Sequence, residues 1–358
     1  MSEENWKTNV QLHKANREKN DEFYTQLDDI EKELLHYKEH FKGKTVFCNC
    51  DDPFESNFFK YFVMNFNQLG LEKLIATWYA TSPIAWTQLP LFEEINGKEI
   101  KLKAYKIEIT EVKDVNGDGR IDLNDVKYLL ERKEGVKALK GDWDFRSEES
   151  LKLLKEADIV VTNPPFSLFR DYIALLMEYH KKFLVLWNMN AITYKEIFPL
   201  IKDNRLWIWY WFNMSMVYET PYPNLLEANR KFVIAKWYNP DDGYVKVPAI
   251  CRFTNLDIQK RHEDLILYKT YNPHDYPNYD YYDAININKV DEIPVDYEWI
   301  MGVPITFLGK YNPEQFEIIN WIGRYACIEW TYTNPIWTYW TDINWVHTYF
   351  RILIRRKK

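Results

Sequence analysis

The chain has 358 residues, enough for about two domains at roughly 150 residues each. Hydrophobic residues are 46% and charged residues 28%, with no apolar run near the ~20 residues of a membrane span, so a soluble protein without a membrane partner is expected. Net charge is −7, from 46 Lys+Arg and 53 Asp+Glu, which disfavours a nucleic-acid ligand only weakly because a local groove can be basic on an acidic body. The last eight residues, RILIRRKK, carry five positive charges.

The N-terminus, MSEENWKTNV, lacks the apolar stretch of a signal peptide, and a cytoplasmic location is the expectation. Leu27, Ile30, Leu34, Tyr37 and Phe41 recur at three- and four-residue steps and predict one face of an amphipathic helix. A strand, KTVFCNC, follows, then the turn DDPFES and a helix with Phe58, Phe62, Phe66 and Leu69 on one side. KLIATWYA reads as a strand, and Tyr105, Ile107 and Ile109 alternate as in a hairpin arm. After an acidic loop come the helix LNDVKYLLERK, the turn GDWDFRS, another helix, the strand ADIVVT, the tetrapeptide NPPF, the helix SLFRDYIALLMEYH and the strand KKFLVLW. Strands alternating with helices predict a mostly parallel sheet covered on both faces. Beyond about residue 205, Pro- and Tyr-rich loops such as YNPHDYPNYDYYD separate short aromatic strands, and a second, more irregular region is expected. Cys48, Cys50, Cys251 and Cys327 are too few for a disulfide scaffold, and reduced thiols are expected.

Asn163-Pro164-Pro165-Phe166 directly follows a buried strand, where open α/β sheets bind ligands. Two prolines fix the backbone, so the Asn163 Oδ1 and the Pro164 carbonyl can accept both hydrogens of an exocyclic amine, while Phe166 offers a face to a base. The strand end, acidic turn and helix of TVFCNCDDPFES suit a cationic amine. They lack the glycine-rich loop of a diphosphate site. Asp144-Phe145 pairs a carboxylate acceptor with a ring. Asp114, Asn116, Asp118, Gly119, Arg120, Asp122 and Asp125 match an EF-hand loop at positions 1, 3, 5, 6, 7, 9 and 12, with Arg120 offering its carbonyl. Asp at the last position and a single following helix resemble the calcium loop of dockerin repeats, and structural Ca²⁺ binding is expected.

Together these segments resemble the EcoRI-type family of adenine-specific DNA methyltransferases over nearly the whole chain. The likeness runs from KTVFCNCDDPFESNFFKYF through GDWDFRS and DIVVTNPPFSLFRDYI to RILIRRK. It implies an α/β, Rossmann-like methyltransferase fold that uses S-adenosylmethionine, with a β-rich target-recognition region near the C-terminus. The resemblance carries the family's amino-terminal motif to Tyr24 and Thr25, and its cofactor loop to Cys48, Asn49, Asp51 and Asp52. Its adenine-contact motif falls on Asp144 and Phe145, and its catalytic motif on Asn163, Pro164, Pro165 and Phe166. Residues 1–204 would form the catalytic domain, with the calcium loop inserted at about 110–135; residues 205–358 would complete the sheet and read the target.

The implied activity is N6-methylation of an adenine turned out of double-stranded DNA, by a monomer working beside a restriction endonuclease for the same site. An RNA adenine or a protein glutamine amide presents the same NH₂ group and stands as the alternative substrate. A dockerin-like binding module is disfavoured, because its loop is single and lies mid-chain. Composition raises one further expectation. Eleven glycines stand against 15 tryptophans, where a chain of this length would carry about 25 glycines. Trp86, Trp143, Trp187, Trp209, Trp211, Trp237, Trp299, Trp321, Trp330 and Trp340 stand where the family pattern has glycine; Trp6, Trp207, Trp337 and Trp345 fit as true tryptophans. A gene whose UGA codons specify glycine, read with a table in which they specify tryptophan, produces this pattern. If the tryptophans are real and fill the cofactor pocket, the protein would be a DNA-binding pseudoenzyme.

Overall fold

The strand–helix alternation is realised in the computed structural model, which describes residues 24–49, 51–54, 56–79, 104–132, 135–139, 144–164, 168–208, 214–219, 230–323 and 342–357. Contacts divide the chain into a first unit, residues 1–191 with 213–256, and a second unit, residues 192–212 with 257–358. Among the described residues no helix is long and apolar enough to cross a membrane.

In the first unit a two-residue strand β1 (Tyr24–Thr25) leads into α1 (Leu27–Leu34), a 3₁₀ turn at Leu35–Tyr37, and α2 (Lys38–Phe41). Ile30, Leu34, Tyr37 and Phe41 are all fully buried, so the apolar face lies where the spacing predicts. The single predicted rod is broken, however. The three-residue step from Leu34 to Tyr37 coincides with the 3₁₀ turn, whose tighter winding stacks residues three apart. Then follow β2 (Thr45–Cys48), α3 (Asn57–Met64), α4 (Phe66–Leu69), β3 (Lys73–Tyr79) and β4 (Ala104–Ile109). Ser56 caps α3 by accepting the Phe59 N–H at 3.3 Å, and Gly70 ends α4 in the left-handed conformation. Phe58, Phe62, Phe66 and Leu69 are buried together, as their spacing requires.

After the acidic loop come α5 (Leu123–Glu131), β5 (Val136–Ala138), α6 (Glu148–Glu156), β6 (Ile159–Thr162), α7 (Phe169–Glu178) and β7 (Lys182–Asn188). In chain order the second unit then contributes α8 (Phe198–Lys202) and β8 (Trp207–Ile208). The first unit resumes with β9 (Met214–Glu219), α9 (Arg230–Ala235) and β10 (Tyr244–Thr254). Its sheet runs β1-β9-β10-β7-β6-β2-β3-β4-β5. The four central strands β7, β6, β2 and β3 are parallel and the flanks on both sides are antiparallel, so the sheet is mixed and not mostly parallel as the strand–helix alternation predicts. The parallel strands read as unbroken apolar runs (TVFC, IVVT) because both faces are covered. An ion pair inside this core joins Glu33 of α1 to Arg252 of β10, with side chains 1% and 5% exposed. Arg252 also donates to the Asp29 carbonyl at 3.3 Å, and burial lowers its pKa to about 9. The amino-terminal helix is thereby fixed to the sheet that carries the site.

The second unit is built on a smaller sheet, β11 (Ile285–Asn286), β12 (Met301–Pro304), β16 (Arg351–Arg356) and β13 (Phe316–Ile322), in that order. Ile285, Met301, Val303, Phe316, Ile352, Leu353 and Ile354 are fully buried on it. A hairpin of β14 (Asp342–Ile343) and β15 (Val346–His347) stands apart from that sheet.

Two tryptophans sit in backbone conformations that suit glycine. After α9, the Trp237 N–H donates to the Ile234 carbonyl at 2.9 Å and the Tyr238 N–H to the Val233 carbonyl at 3.2 Å. This is a Schellman ending, and Trp237 holds its left-handed position at φ +67° with 97% exposure. The β14–β15 turn is Asn344-Trp345 with φ of +50° and +63°, a type I′ geometry that selects Asn-Gly. The Asn344 and Trp345 N–H groups donate to the two Asp280 oxygens at 3.0 and 2.7 Å, which pins the turn. A bulky side chain at positive φ costs roughly 1–3 kcal/mol; against this, Trp345, 79% exposed, has an edge-on contact with the Tyr281 ring at 6.0 Å. Trp345 therefore joins the positions where glycine is expected, contrary to its sequence reading as a true tryptophan. Trp187 is different: it is buried and stacked on Phe169 at 4.5 Å. Trp237→Gly and Trp345→Gly should each stabilise the protein by about 1 kcal/mol in denaturant melts. Peptide mass spectrometry of the protein from its native source should find glycine at both positions; tryptophan there, with no stabilisation, would contradict the assignment.

Candidate active site

Strand order reverses at β2, which has β3 on one side and β6 on the other. In an open α/β sheet such a reversal leaves a crevice beyond the carboxyl ends of the two diverging strands. Asn49, Asp51 and Asp52 follow β2 into that position, and Asn163 and Pro164 follow β6.

Asn49 ties three strand ends together. Thr77 in β3 donates to its Oδ1 at 2.7 Å, and the hydroxyl of Thr162, the last residue of β6, donates to its carbonyl. All three residues are buried, where an unmade hydrogen bond costs about 1–3 kcal/mol, so the network holds the crevice floor in one geometry. Two turns downstream are closed in the same way. Asp52 Oδ1 accepts the Phe54 N–H at 2.9 Å, and Asp51 Oδ1 accepts the Ser56 hydroxyl at 2.7 Å. Ser56 thus caps α3 and orients Asp51 at once.

Asp51 is the electrostatic centre of the crevice. Burial raises its pKa to about 7, with a further push from Asp52, against the lowering influence of Ser56, the Thr162 hydroxyl and the Asn163 N–H. Its Oδ2 is buried and makes no hydrogen bond of ordinary geometry among the described residues. A carboxylate held at so high a pKa is stabilised by a cation that arrives beside it. Cys48 ends β2 fully buried; burial first, and Asp51 second, push its thiol well above its ordinary value. Cys48 and Cys251 are buried free thiols, and Cys50 lies outside the described residues.

Asn163 is half-buried and Pro164 buried; Pro165 and Phe166 lie outside the described residues. Tyr24 and Thr25 pair with Glu219 and Tyr218 of β9, and in the strand order β9, β10, β7 and β6 stand between β1 and β2. Asp144 precedes α6 and accepts the Arg146 backbone N–H at 2.8 Å, Nε at 2.9 Å and Nη2 at 2.7 Å, which holds its carboxyl below its usual pKa. Phe145 is 2% exposed, edge-on to Tyr172 at 5.2 Å, with the Arg146 guanidinium over its face at 5.0 Å. Sequence reasoning missed Thr77, Thr162, Ser56 and Arg146. Ser56 carries a readable signal, a serine just before an apolar helix, but the threonine pairs come from strand register and leave none.

The acidic loop connects β4 to α5, ahead of the edge strand β5. Asp114 accepts the N–H groups of Gly117 and Gly119, each at 2.7 Å, and Asp125 accepts those of Val115 and Asp122 at 2.9 and 2.8 Å. Asp122 and Asp125 form a capping box on α5. Among the described residues no three His, Cys, Asp or Glu side chains are grouped to hold a metal ion.

Comparison with known proteins bears on this arrangement. The family model described as adenine-specific methyltransferase EcoRI matches residues 11–357. The chain is 43% identical to the type II methyltransferase M.EcoRI of Escherichia coli, across 98% of each chain. It is 37% identical to M.MpnI of Mycoplasma pneumoniae, across 97% of this chain and 98% of that one. It is 35% identical to M.MgeORF184P of Mycoplasma genitalium, across 97% of this chain and 99% of that one. No solved structure matches it. On full-length similarity, with Asn163–Pro164 and the acidic turn at adjacent strand ends, the chain belongs to the EcoRI-type adenine-specific methyltransferase family.

Proposed function

We propose that this protein is a type II DNA methyltransferase that transfers a methyl group from S-adenosylmethionine to N6 of an adenine turned out of double-stranded DNA. The observation that carries the reading is the meeting of Asn163–Pro164 with Asn49, Asp51 and Asp52 at the strand-order reversal, in a chain related end to end to type II methyltransferases. The Rossmann-like class of the fold and the assignment of target recognition to the second unit belong to the same proposal. So do action as a monomer and a cognate endonuclease for the same site.

Adenine N6 is a poor nucleophile because its lone pair is delocalised into the ring. Asn163 Oδ1 and the Pro164 carbonyl would accept its two hydrogens, favour the pyramidal amine and direct its lone pair outward. Positioning of this kind supplies much of the rate in a transfer that needs no covalent intermediate. S-Adenosylmethionine, when bound, supplies a methyl group on a positively charged sulfur. Asp51, a buried carboxyl at the end of β2, fits a cationic group of that molecule, and Asn49 and Asp52 shape the turn around it. Extrusion of the base costs a few kcal/mol, offset by contacts in the crevice, where Phe166 is the expected stacking partner.

Asn163→Ala should lower kcat on DNA by at least 100-fold while the Kd for S-adenosylmethionine changes less than about threefold, as for a residue that touches only the amine. Retained activity would reject the role. The acidic turn makes a second prediction. In the ligand-free protein Asp51 holds its proton between about 3.8 and 7, so its contribution to stability falls as pH rises through that window. Cofactor binding favours the ionised form, so affinity should rise from pH 6 to pH 8 with release of a proton, and Asp51→Asn should flatten the rise. Calorimetry in buffers of different ionisation enthalpy reads this directly; an unchanged profile in the variant would contradict it.

We also propose that the loop of Asp114, Asn116, Asp118, Asp122 and Asp125, with the Arg120 carbonyl, takes structural Ca²⁺. Support comes from the ligand spacing and from Gly119 at φ +86°, the sharp turn at position 6. Each carboxylate oxygen that accepts an N–H keeps a second lone pair. Isothermal titration with Ca²⁺ should give a single saturable site that Asp114→Ala removes; no heat from the folded protein would reject it.

A further inference from the structure

In the second unit the segment after β10, residues 257–265, is bonded to the stretch ahead of β13, residues 312–315. Gln315 accepts the Leu265 N–H at 2.7 Å and donates to the Leu265 carbonyl at 2.8 Å, and the Asn312 side-chain amide donates to Asp264 at 2.9 Å. His262, at the end of the 3₁₀ turn Gln259–His262, adds a contact of another kind. Its Nε2 lies 2.8 Å from Asp257 Oδ2 and its Nδ1 2.9 Å from Glu314 Oε1. A neutral imidazole carries one N–H, so it donates to only one of these carboxylates and turns a nitrogen lone pair on the other. Both contacts are hydrogen bonds only when the ring is the imidazolium. The side chain is 38% exposed, so solvent protons reach it. Arg261 also pairs with Asp257, at 3.4 Å, whereas Glu314 has its ion pair with His262 alone among the described residues. Of the other titratable groups nearby, Glu263 follows the ring in the chain, and Lys260, Lys310 and Tyr311 line a pocket with Arg261.

We propose that His262 is a pH-operated latch of the second unit: charged, it bridges Asp257 and Glu314, and neutral, it keeps Asp257 and releases Glu314 to water. Arg261 holds Asp257 in place whatever the state of the ring, while Glu314 loses its cation. The two hydrogen bonds, that to Asp257 foremost, raise the His262 pKa above its ordinary 6.5, and slight burial opposes them. A group whose folded pKa is raised contributes stability that is complete below its unfolded value, about 6.5, and is lost as pH rises through the folded value. The Gln315 and Asn312 contacts have no such dependence near neutral pH, so the segment loosens at one end and stays bonded at the other. The latch is independent of the chemistry in the first unit.

The test is NMR titration of the full-length protein with labelled histidine rings, the His262 signal being assigned by its loss in His262→Gln. Its midpoint should lie above 6.5, with both ring nitrogens protonated below it. Asp257→Asn and Glu314→Gln should each lower that midpoint by about half a pH unit or more. Glu314 is exposed, so its variant keeps the fold and supplies a second reading. The gap in melting temperature between wild type and Glu314→Gln should be widest near about pH 6 and shrink as pH rises to about 9. A wild-type midpoint at or below 6.5, a midpoint unmoved in either carboxylate variant, or a melting gap that does not change with pH would overturn the latch.

Discussion

The site depends on Asn49. Its side chain and carbonyl are each engaged by a threonine from a neighbouring strand, so the ends of β2, β3 and β6 cannot move independently. Everything proposed for the crevice follows from that tie. It sets where the acidic turn leaves β2, and therefore where Ser56 can both cap a helix and hold Asp51. It also sets where β6 delivers Asn163 and Pro164. Loosening one of these buried hydrogen bonds would shift two chemically distinct loops at once, which is why the threonines matter although neither bears reactive chemistry.

The electrostatics divide the crevice into unlike halves. On the β2 side is a buried carboxyl whose pKa burial pushes up to about 7. On the β6 side the acceptors are neutral, an amide and a carbonyl, suited to a neutral amine whose lone pair must remain available. Arg146 adds a further element. It pairs with Asp144 and lies over the Phe145 ring, so both members of this pair are already in contact with the chain's own cation.

Much of the catalytic unit is legible in the sequence because its central strands are apolar runs and its helices carry complete faces. Ile30, Leu34, Tyr37 and Phe41 are buried where their spacing puts them, and Asn163–Pro164 and the acidic turn arrive at adjacent strand ends. The break in the first helix was not legible, since three- and four-residue steps describe an α-helix and a 3₁₀ turn equally well. The threonine ties were hidden for a different reason: they depend on parallel register, which no local pattern encodes. Trp237 and Trp345 mark the opposite case: each stands in a backbone position, a Schellman ending and a type I′ turn, that favours glycine, which the letters alone do not show for Trp345.

The central claim is that a rigid prolyl corner presents two oxygens to the amine of an extruded adenine. Its most direct test is nucleoside mass spectrometry on duplex DNA treated with the protein and S-adenosylmethionine, with RNA and protein substrates in parallel. The account predicts N6-methyldeoxyadenosine in the DNA, confined to one recurring sequence, and no product in the other two. Methyl transfer to cytosine, to RNA or to a glutamine amide, or none to DNA by the folded, cofactor-binding protein, would contradict it.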